Sequence, residues 1–301
     1  MLCWRSPAPA DGEKTKLLAP PHVRRDGISV LTATAVLGTF STTSSNVLYP
    51  WTYGKLGIGL GPLLGFGLQG VMLLIALLVS RIAVELRCST FGELGEAIGG
   101  RWGGHLLRLT QLWNNVLFLP VALVLSAEAL RQVGLISLDC SAAGGRTQSS
   151  ACDWWACHVN TLLLLIGLAW PVLLLARDIG HLGCVSVVSV VLIVVQTVII
   201  ITYVALVEPF GVVVQPYSWF GSSLSPAWQE VISSFGTFLY SFCPMFLAVE
   251  VSASMQQPAL ISKALIYSFL FNQFMYIPVG IVTVAFWGGS VTDPMNLALS
   301  E

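Results

Sequence analysis

The sequence predicts an all-α integral membrane protein of about seven transmembrane helices, the first and sixth of them discontinuous. Three observations carry this. Hydrophobic residues make up 55% of the 301 residues and charged ones only 10%, against roughly a quarter charged in an ordinary soluble chain. The mean hydropathy is +0.79. The apolar residues fall into seven stretches, each close to the roughly 20 residues that a helix needs to cross a bilayer. A transmembrane barrel is excluded, because these runs exceed the roughly 9–11 residues of a barrel strand and lack its strict alternation.

Residues 1–27 read as a disordered cytosolic tail rich in Pro, Ala and charge, with no apolar run. Arg24 and Arg25 follow its polar part and no small-residue cleavage site follows an apolar core, so it is not a signal peptide. The transmembrane domain occupies 28–301. Its spans are placed near 28–49, 59–80, 105–130, 159–176, 182–207, 231–251 and 259–287. Orientation follows from the basic residues. Arg5, Lys14, Lys16, Arg24 and Arg25 lie in the tail, Arg81, Arg87, Arg101 and Arg108 around the connection after the second span, Arg177 after the fourth and Lys263 after the sixth. Only Lys55, Arg131 and Arg146 fall on the other side, which puts the N-terminus in the cytoplasm. With 14 basic against 15 acidic residues, the net charge of −1 implies no nucleic-acid partner.

The first span runs from Ile28 to Leu37 and then meets Gly38-Thr39-Phe40-Ser41-Thr42-Thr43-Ser44-Ser45-Asn46. So many hydroxyl residues with poor helix propensity predict a helix that unwinds near the bilayer centre. In the sixth, Ser241-Phe242-Cys243-Pro244 sets a proline inside the apolar run, removing a backbone donor and crowding the preceding turn. Either feature alone also fits close helix packing or a simple kink. Together, five spans apart, they match the inverted repeats of secondary transporters, which break corresponding helices in each half. Freed N–H groups at a half-helix N-terminus attract a carboxylate, and freed carbonyls attract a cation. The candidate substrate-binding residues are therefore Ser41, Thr42, Thr43, Ser44, Ser45 and Asn46, with Phe238, Ser241 and Phe242. No catalytic residue, metal ligand or cofactor is expected beyond a coupling H⁺ or Na⁺.

Other polar residues in or beside spans have plain structural readings. Asn114 and Asn115 suit inter-helix hydrogen bonds, and Arg177-Asp178 an ion pair at a helix end. Glu250, at membrane depth, reads either as a coupling group or as a carboxylate reaching the cytoplasmic edge. Cys140, Cys152 and Cys157 share the third-to-fourth connection, where an oxidising face permits one disulfide among them. Glu13-x-x-x-Leu17-Leu18 is similar to an acidic dileucine sorting signal, so the membrane is either the plasma membrane or an endosomal, lysosomal or vesicular one.

The pattern resembles the amino acid/auxin permease family of transmembrane amino-acid transporters. The resemblance is densest over Phe235-Gly236-Thr237-Phe238-Leu239-Tyr240-Ser241-Phe242, Glu250, Met255, Pro258, Lys263-Ala264, Tyr276, Gly280 and Phe286-Trp287-Gly288. Pro50-Trp51-Thr52-Tyr53, Phe91-Gly92-Glu93-Leu94-Gly95 and Leu175-Ala176-Arg177-Asp178-Ile179 are in register with it. Glycines usual in the first break are here Ser41–Asn46, and a Gly-Gly-His usual in the sixth is Cys243-Pro244-Met245. The resemblance implies a LeuT-like inverted-repeat fold, secondary active transport of small amino acids across a lipid bilayer, and ten or eleven helices. Seven spans are thus expected to be the N-terminal portion of such a fold, either as a fragment or as a short product that needs a helper subunit. A non-transporting amino-acid sensor and a seven-helix receptor are the alternatives; a receptor would hold its N-terminus outside. An enzyme is not expected, because neither His-Glu-x-x-His nor a pair of intramembrane Asp residues occurs.

Overall fold

A computed structural model describes residues 27–42, 48–132, 179–207, 228–242 and 244–287. Among these the chain is helical, and its one extended pairing is an isolated bridge between Ile28 and Met255. The helices are α1 (Val30–Thr42), α2 (Tyr49–Leu56), α3 (Leu60–Glu85), α4 (Phe91–Gln132), α5 (Ile179–Val207), α6 (Trp228–Ser241), α7 (Met245–Ser254) and α8 (Ile261–Trp287), the last preceded by a 3-10 turn at Pro258–Leu260. Within the first apolar stretch the described residues form α1 and reach the start of α2 at Tyr49, and the sixth stretch is divided between α6 and α7. The fourth expected span, the loop cysteines and the Arg177-Asp178 pair lie outside the described residues.

Among the described residues, three helices are long and apolar enough to cross a membrane: Leu60–Glu85, Val185–Val204 and Pro258–Phe286. Their apolar residues point outward as well as inward. Leu63, Leu74 and Leu78 on α3, Val191, Leu192 and Ile199 on α5, and Phe274 on α8 are all exposed. Water would penalise such a surface by about 25 cal/mol for each Å², whereas lipid tails accept it. The buried faces are marked by residue size. On α3 the buried positions are Gly61, Gly65, Gln69, Met72, Ala76, Ser80 and Ala83, a stripe of mostly small residues at helical spacing. Small residues let helices approach closely in lipid, where association depends on packing. On α5, Ser186, Ile193, Thr197, Ile200 and Val204 form the equivalent stripe.

Helix α8 is the hub, packing against α1, α2, α3 and α5. One apolar cluster joins Ala33, Val36 and Leu37 of α1 to Ala76 of α3, Ala248 and Val251 of α7 and Ala264 and Leu265 of α8. Polar links reinforce it. Thr39 Oγ1 donates to the Ser186 carbonyl of α5 at 3.1 Å. Ile28 N donates to the Ser254 carbonyl at 2.9 Å, and Gln256 N to the Ile28 carbonyl at 3.0 Å, tying the lead-in of α1 to the end of α7.

The second and third helices extend past the expected spans for local reasons. Helix α3 continues to Glu85 and closes with Cys88 N donating to Ala83 O and Arg87 N to Val84 O, the paired bonds of a helix C-cap. Helix α4 begins fourteen residues before the expected span and folds at Gly99-Gly100. Gly100, at φ 63° and ψ −160°, occupies a region essentially restricted to glycine. Thr90 caps the start: its Oγ1 accepts from Glu93 N at 3.2 Å, while Glu93 Oε2 accepts from Ser89 N at 2.8 Å and Ser89 Oγ at 2.7 Å. This is a capping-box arrangement. Burial raises the Glu93 carboxyl, but the bonds from Ser89 and Thr90 and the nearby Arg108 outweigh it and hold the group below the usual carboxylate value.

The hub also fixes where glycine is required. A Cβ at Gly280 of α8 would overlap the Tyr53 ring, and Tyr53 is fully buried. Gly67 on α3 is exposed with open space around it. Gly280→Ala is expected to lower the thermal melting point in detergent, by about 1–3 kcal/mol of overpacking. Gly67→Ala is expected to hold or raise it, by up to about 1 kcal/mol. Equal melting shifts for the two variants would contradict this packing.

Candidate functional site

The described part of α1 ends at Thr42, and α6 ends at Ser241. A backbone carbonyl at membrane depth meets little water, so protein groups bond it. Tyr276 of α8 reaches one carbonyl near each of these ends. Its hydroxyl donates to the Ser41 carbonyl at 2.6 Å and lies 3.2 Å from the Ser241 carbonyl. One O–H thus joins α1 to the end of α6.

A second layer of hydrogen bonds surrounds this contact. Tyr49, at the start of α2, has its hydroxyl 2.8 Å from Ser241 Oγ. Gln69 of α3 donates through Nε2 to both Tyr49 Oη and Ser241 Oγ, the latter at 2.9 Å, and accepts from Gln273 Nε2 of α8. Ser241 Oγ donates to the Phe238 carbonyl at 3.0 Å, so Tyr49 is the donor in its bond to Ser241. All these side chains are buried. None carries a formal charge at neutral pH, so the network is held by directed neutral donors and acceptors. Its apolar wall is aromatic. Tyr49 and Tyr276 stack with ring centres 4.1 Å apart, and Phe238 and Tyr53 each meet Tyr49 near edge-on at 5.6 Å.

The half-helices that resume after the breaks present the opposite ends. Leu48 precedes α2 and Pro244 precedes α7, and neither has a side chain that can cap the helix. The first N–H groups of α2 and α7 therefore start without an N-cap side chain. The C-terminus of α6 and the N-termini of α2 and α7 carry partial charges of opposite sign.

Of the residues singled out from sequence, Ser41, Phe238 and Ser241 belong to this arrangement. Ser41 contributes its carbonyl, while its own hydroxyl donates back to Leu37 O at 2.9 Å. Phe242 is buried nearby, but its ring meets Phe269 edge-on in a separate apolar cluster with Met72. Thr42 closes α1, and its side chain lies outside the described residues. Thr43, Ser44, Ser45 and Asn46 also lie outside them. Sequence reasoning did not reach Gln69, Gln273 or the role of Tyr49 and Tyr276. A signal existed for Gln69: it is the one polar residue in the Gly61, Gly65, Gln69 spacing of an otherwise apolar helix.

A helical, multi-pass membrane protein with its polar groups gathered where α6 breaks off against α1, α2, α3 and α8 is the class defined by this fold and site. The chain belongs to the family described as transmembrane amino acid transporter protein, whose model matches residues 26–300. No curated protein and no solved structure gives a significant match.

The shared hydroxyl makes a specific demand on stability. Tyr276→Phe keeps the stack on Tyr49 but removes the hydroxyl's bonds to the Ser41 and Ser241 carbonyls, and is expected to cost about 1–3 kcal/mol. Tyr267→Phe, on the exposed face of the same helix, is expected to leave the melting temperature unchanged. Equal effects of the two substitutions would contradict the capping role of Tyr276.

Proposed function

We propose that the chain is a secondary active transporter for small amino acids, driven by an H⁺ or Na⁺ gradient, with a LeuT-like inverted-repeat architecture. The observation that carries this is the meeting of α1 with the break after α6 at Tyr276. A free amino acid is a zwitterion of small size. Its carboxylate suits the uncapped N–H groups at a half-helix N-terminus, and its ammonium suits carbonyls freed at a half-helix C-terminus. The breaks supply both kinds of end with no charged side chain, so recognition rests on the two groups that every amino acid shares. The side chain of the substrate would face Phe238 and Phe242, whose bulk favours small residues.

In this reading Ser41, Thr42, Thr43, Ser44, Ser45 and Asn46 present the first-span backbone to the substrate, and Phe238, Ser241 and Phe242 face it from the sixth. No covalent chemistry is required. Alternating access comes from rocking one group of helices past the other around a fixed site. The N-terminus is cytoplasmic, by the distribution of Lys and Arg, and the membrane is the plasma membrane or an endosomal, lysosomal or vesicular one.

The test is uptake of radiolabelled amino acids into proteoliposomes under an imposed H⁺ or Na⁺ gradient. Gradient-dependent uptake of small neutral amino acids is expected. Ser44→Pro and Asn46→Trp are expected to abolish it while membrane abundance stays normal. Binding without flux would point instead to a sensor, and undiminished uptake by both variants would refute the site.

A further inference from the structure

We propose that Gln273 of α8 reads the side chain of the substrate. The preferred substrates are then amino acids whose short, uncharged side chain carries a hydrogen-bond donor, such as a hydroxyl or an amide. The proposal rests on the transport reading above and narrows it.

A count of donors and acceptors singles out this residue. Ser241 Oγ donates to the Phe238 carbonyl and accepts from Tyr49 Oη and Gln69 Nε2, which fills a hydroxyl. Gln69 commits both N–H groups of Nε2, to Tyr49 Oη and Ser241 Oγ, and its Oε1 accepts from Gln273 Nε2. The chain of bonds thus runs from α8 through α3 to the last turn of α6, and its open end is Gln273. That side chain is only 7% exposed. It makes the one bond to Gln69, and its carbonyl oxygen Oε1 is bonded by no group among the described residues. A glutamine that served only to fasten α8 to α3 would leave this acceptor unmet, a cost that a methionine of similar length would not incur.

Its position suits the role. Gln273 lies at the middle of the 27-residue α8, the depth at which inverted-repeat transporters bind their substrates. Tyr276, which reaches the Ser41 and Ser241 carbonyls, is one turn further along the same face. The glutamine pair also lies between the two phenylalanines assigned to the substrate side chain. On α3, a Cβ at Gly65 would press on the Phe238 ring; Gln69 follows one turn later, and then Met72, which packs with Phe242. On α8, Phe269 meets Phe242 edge-on at 5.5 Å, and Gln273 follows one turn later.

This wall sorts side chains by chemistry. Tyr49, Gln69, Ser241, Gln273 and Tyr276 are all neutral, so a charged side chain would enter with no opposite charge to meet it and at high desolvation cost. An apolar side chain of the right size would fit between the rings but cover Oε1 without bonding it. A short side chain with a hydroxyl or amide both fits and donates to Oε1.

The experiment compares uptake of radiolabelled serine and 2-aminobutyrate into proteoliposomes under the imposed gradient. Their side chains are of similar size and differ by a hydroxyl in place of a methyl group. Wild type is expected to favour serine in kcat/KM by about tenfold, and Gln273→Met to bring the ratio to about one by losing serine uptake more than 2-aminobutyrate uptake. Gln273→Leu is a second variant with the same expectation. A wild-type ratio near one, or equal loss of both substrates in the two variants, overturns the proposal. The melting temperature of wild type in detergent, with each amino acid added, separates the two readings. A larger rise with serine and no uptake of either overturns transport and leaves Gln273 assigned. Uptake without preference overturns the assignment alone, and neither uptake nor a melting shift overturns both.

Discussion

Backbone carbonyls inside a bilayer have little water to receive them, and at the break after α6 a protein group takes that place. The Ser241 carbonyl at the end of α6 and the Ser41 carbonyl of α1 converge on one hydroxyl of Tyr276. An unsatisfied group in hydrocarbon would cost several kcal/mol, and α8 supplies the donor where it passes the break. In keeping with that, α8 is the most enclosed of the three membrane-length helices among the described residues, and it touches α1, α2, α3 and α5. The glycine at 280 lets Tyr53 lie flat against α8 one turn beyond Tyr276.

The same constraint connects packing to function. The groups around the breaks are tyrosine and serine hydroxyls, glutamine amides and backbone ends. In the proposed reading such a site exchanges internal hydrogen bonds for those of a zwitterionic ligand with no charged side chain of its own. Tyr276 bonds the two carbonyls, and a substrate ammonium would compete for the same acceptors. Glu250 lies apart from this network, bonded by Gln111 about one turn from the backbone bridge that fastens α7 to the lead-in of α1.

Much of this was legible in the amino acids, because the strongest signals in a membrane chain are local. Pro244 marks the end of α6; the run expected to unwind from Gly38 is instead helical through Thr42, and its remainder lies outside the described residues. Phe238 and Ser241 were within reach because they flank that proline. The partners were harder to see. Tyr276 stands 235 residues from Ser41 and Gln69 stands 172 from Ser241, and nothing local says that they meet. Tyr276 resembles any aromatic residue of an apolar helix until its neighbours are known. The glycine pair Gly99-Gly100 and the capping box of Thr90 and Glu93 at the start of α4 are both local features, with bonds spanning three or four residues.

The central claim is that substrate binds where α1 meets the break after α6. Its most direct test is substrate protection of a cysteine placed at the break, with Ser241→Cys in an otherwise cysteine-free chain and a membrane-permeant thiol reagent. Labelling is predicted to slow several-fold when a transported amino acid saturates the site, and to be unaffected by an amino acid that is not transported. Equal labelling with and without transported substrate, in a variant that still transports, would contradict it.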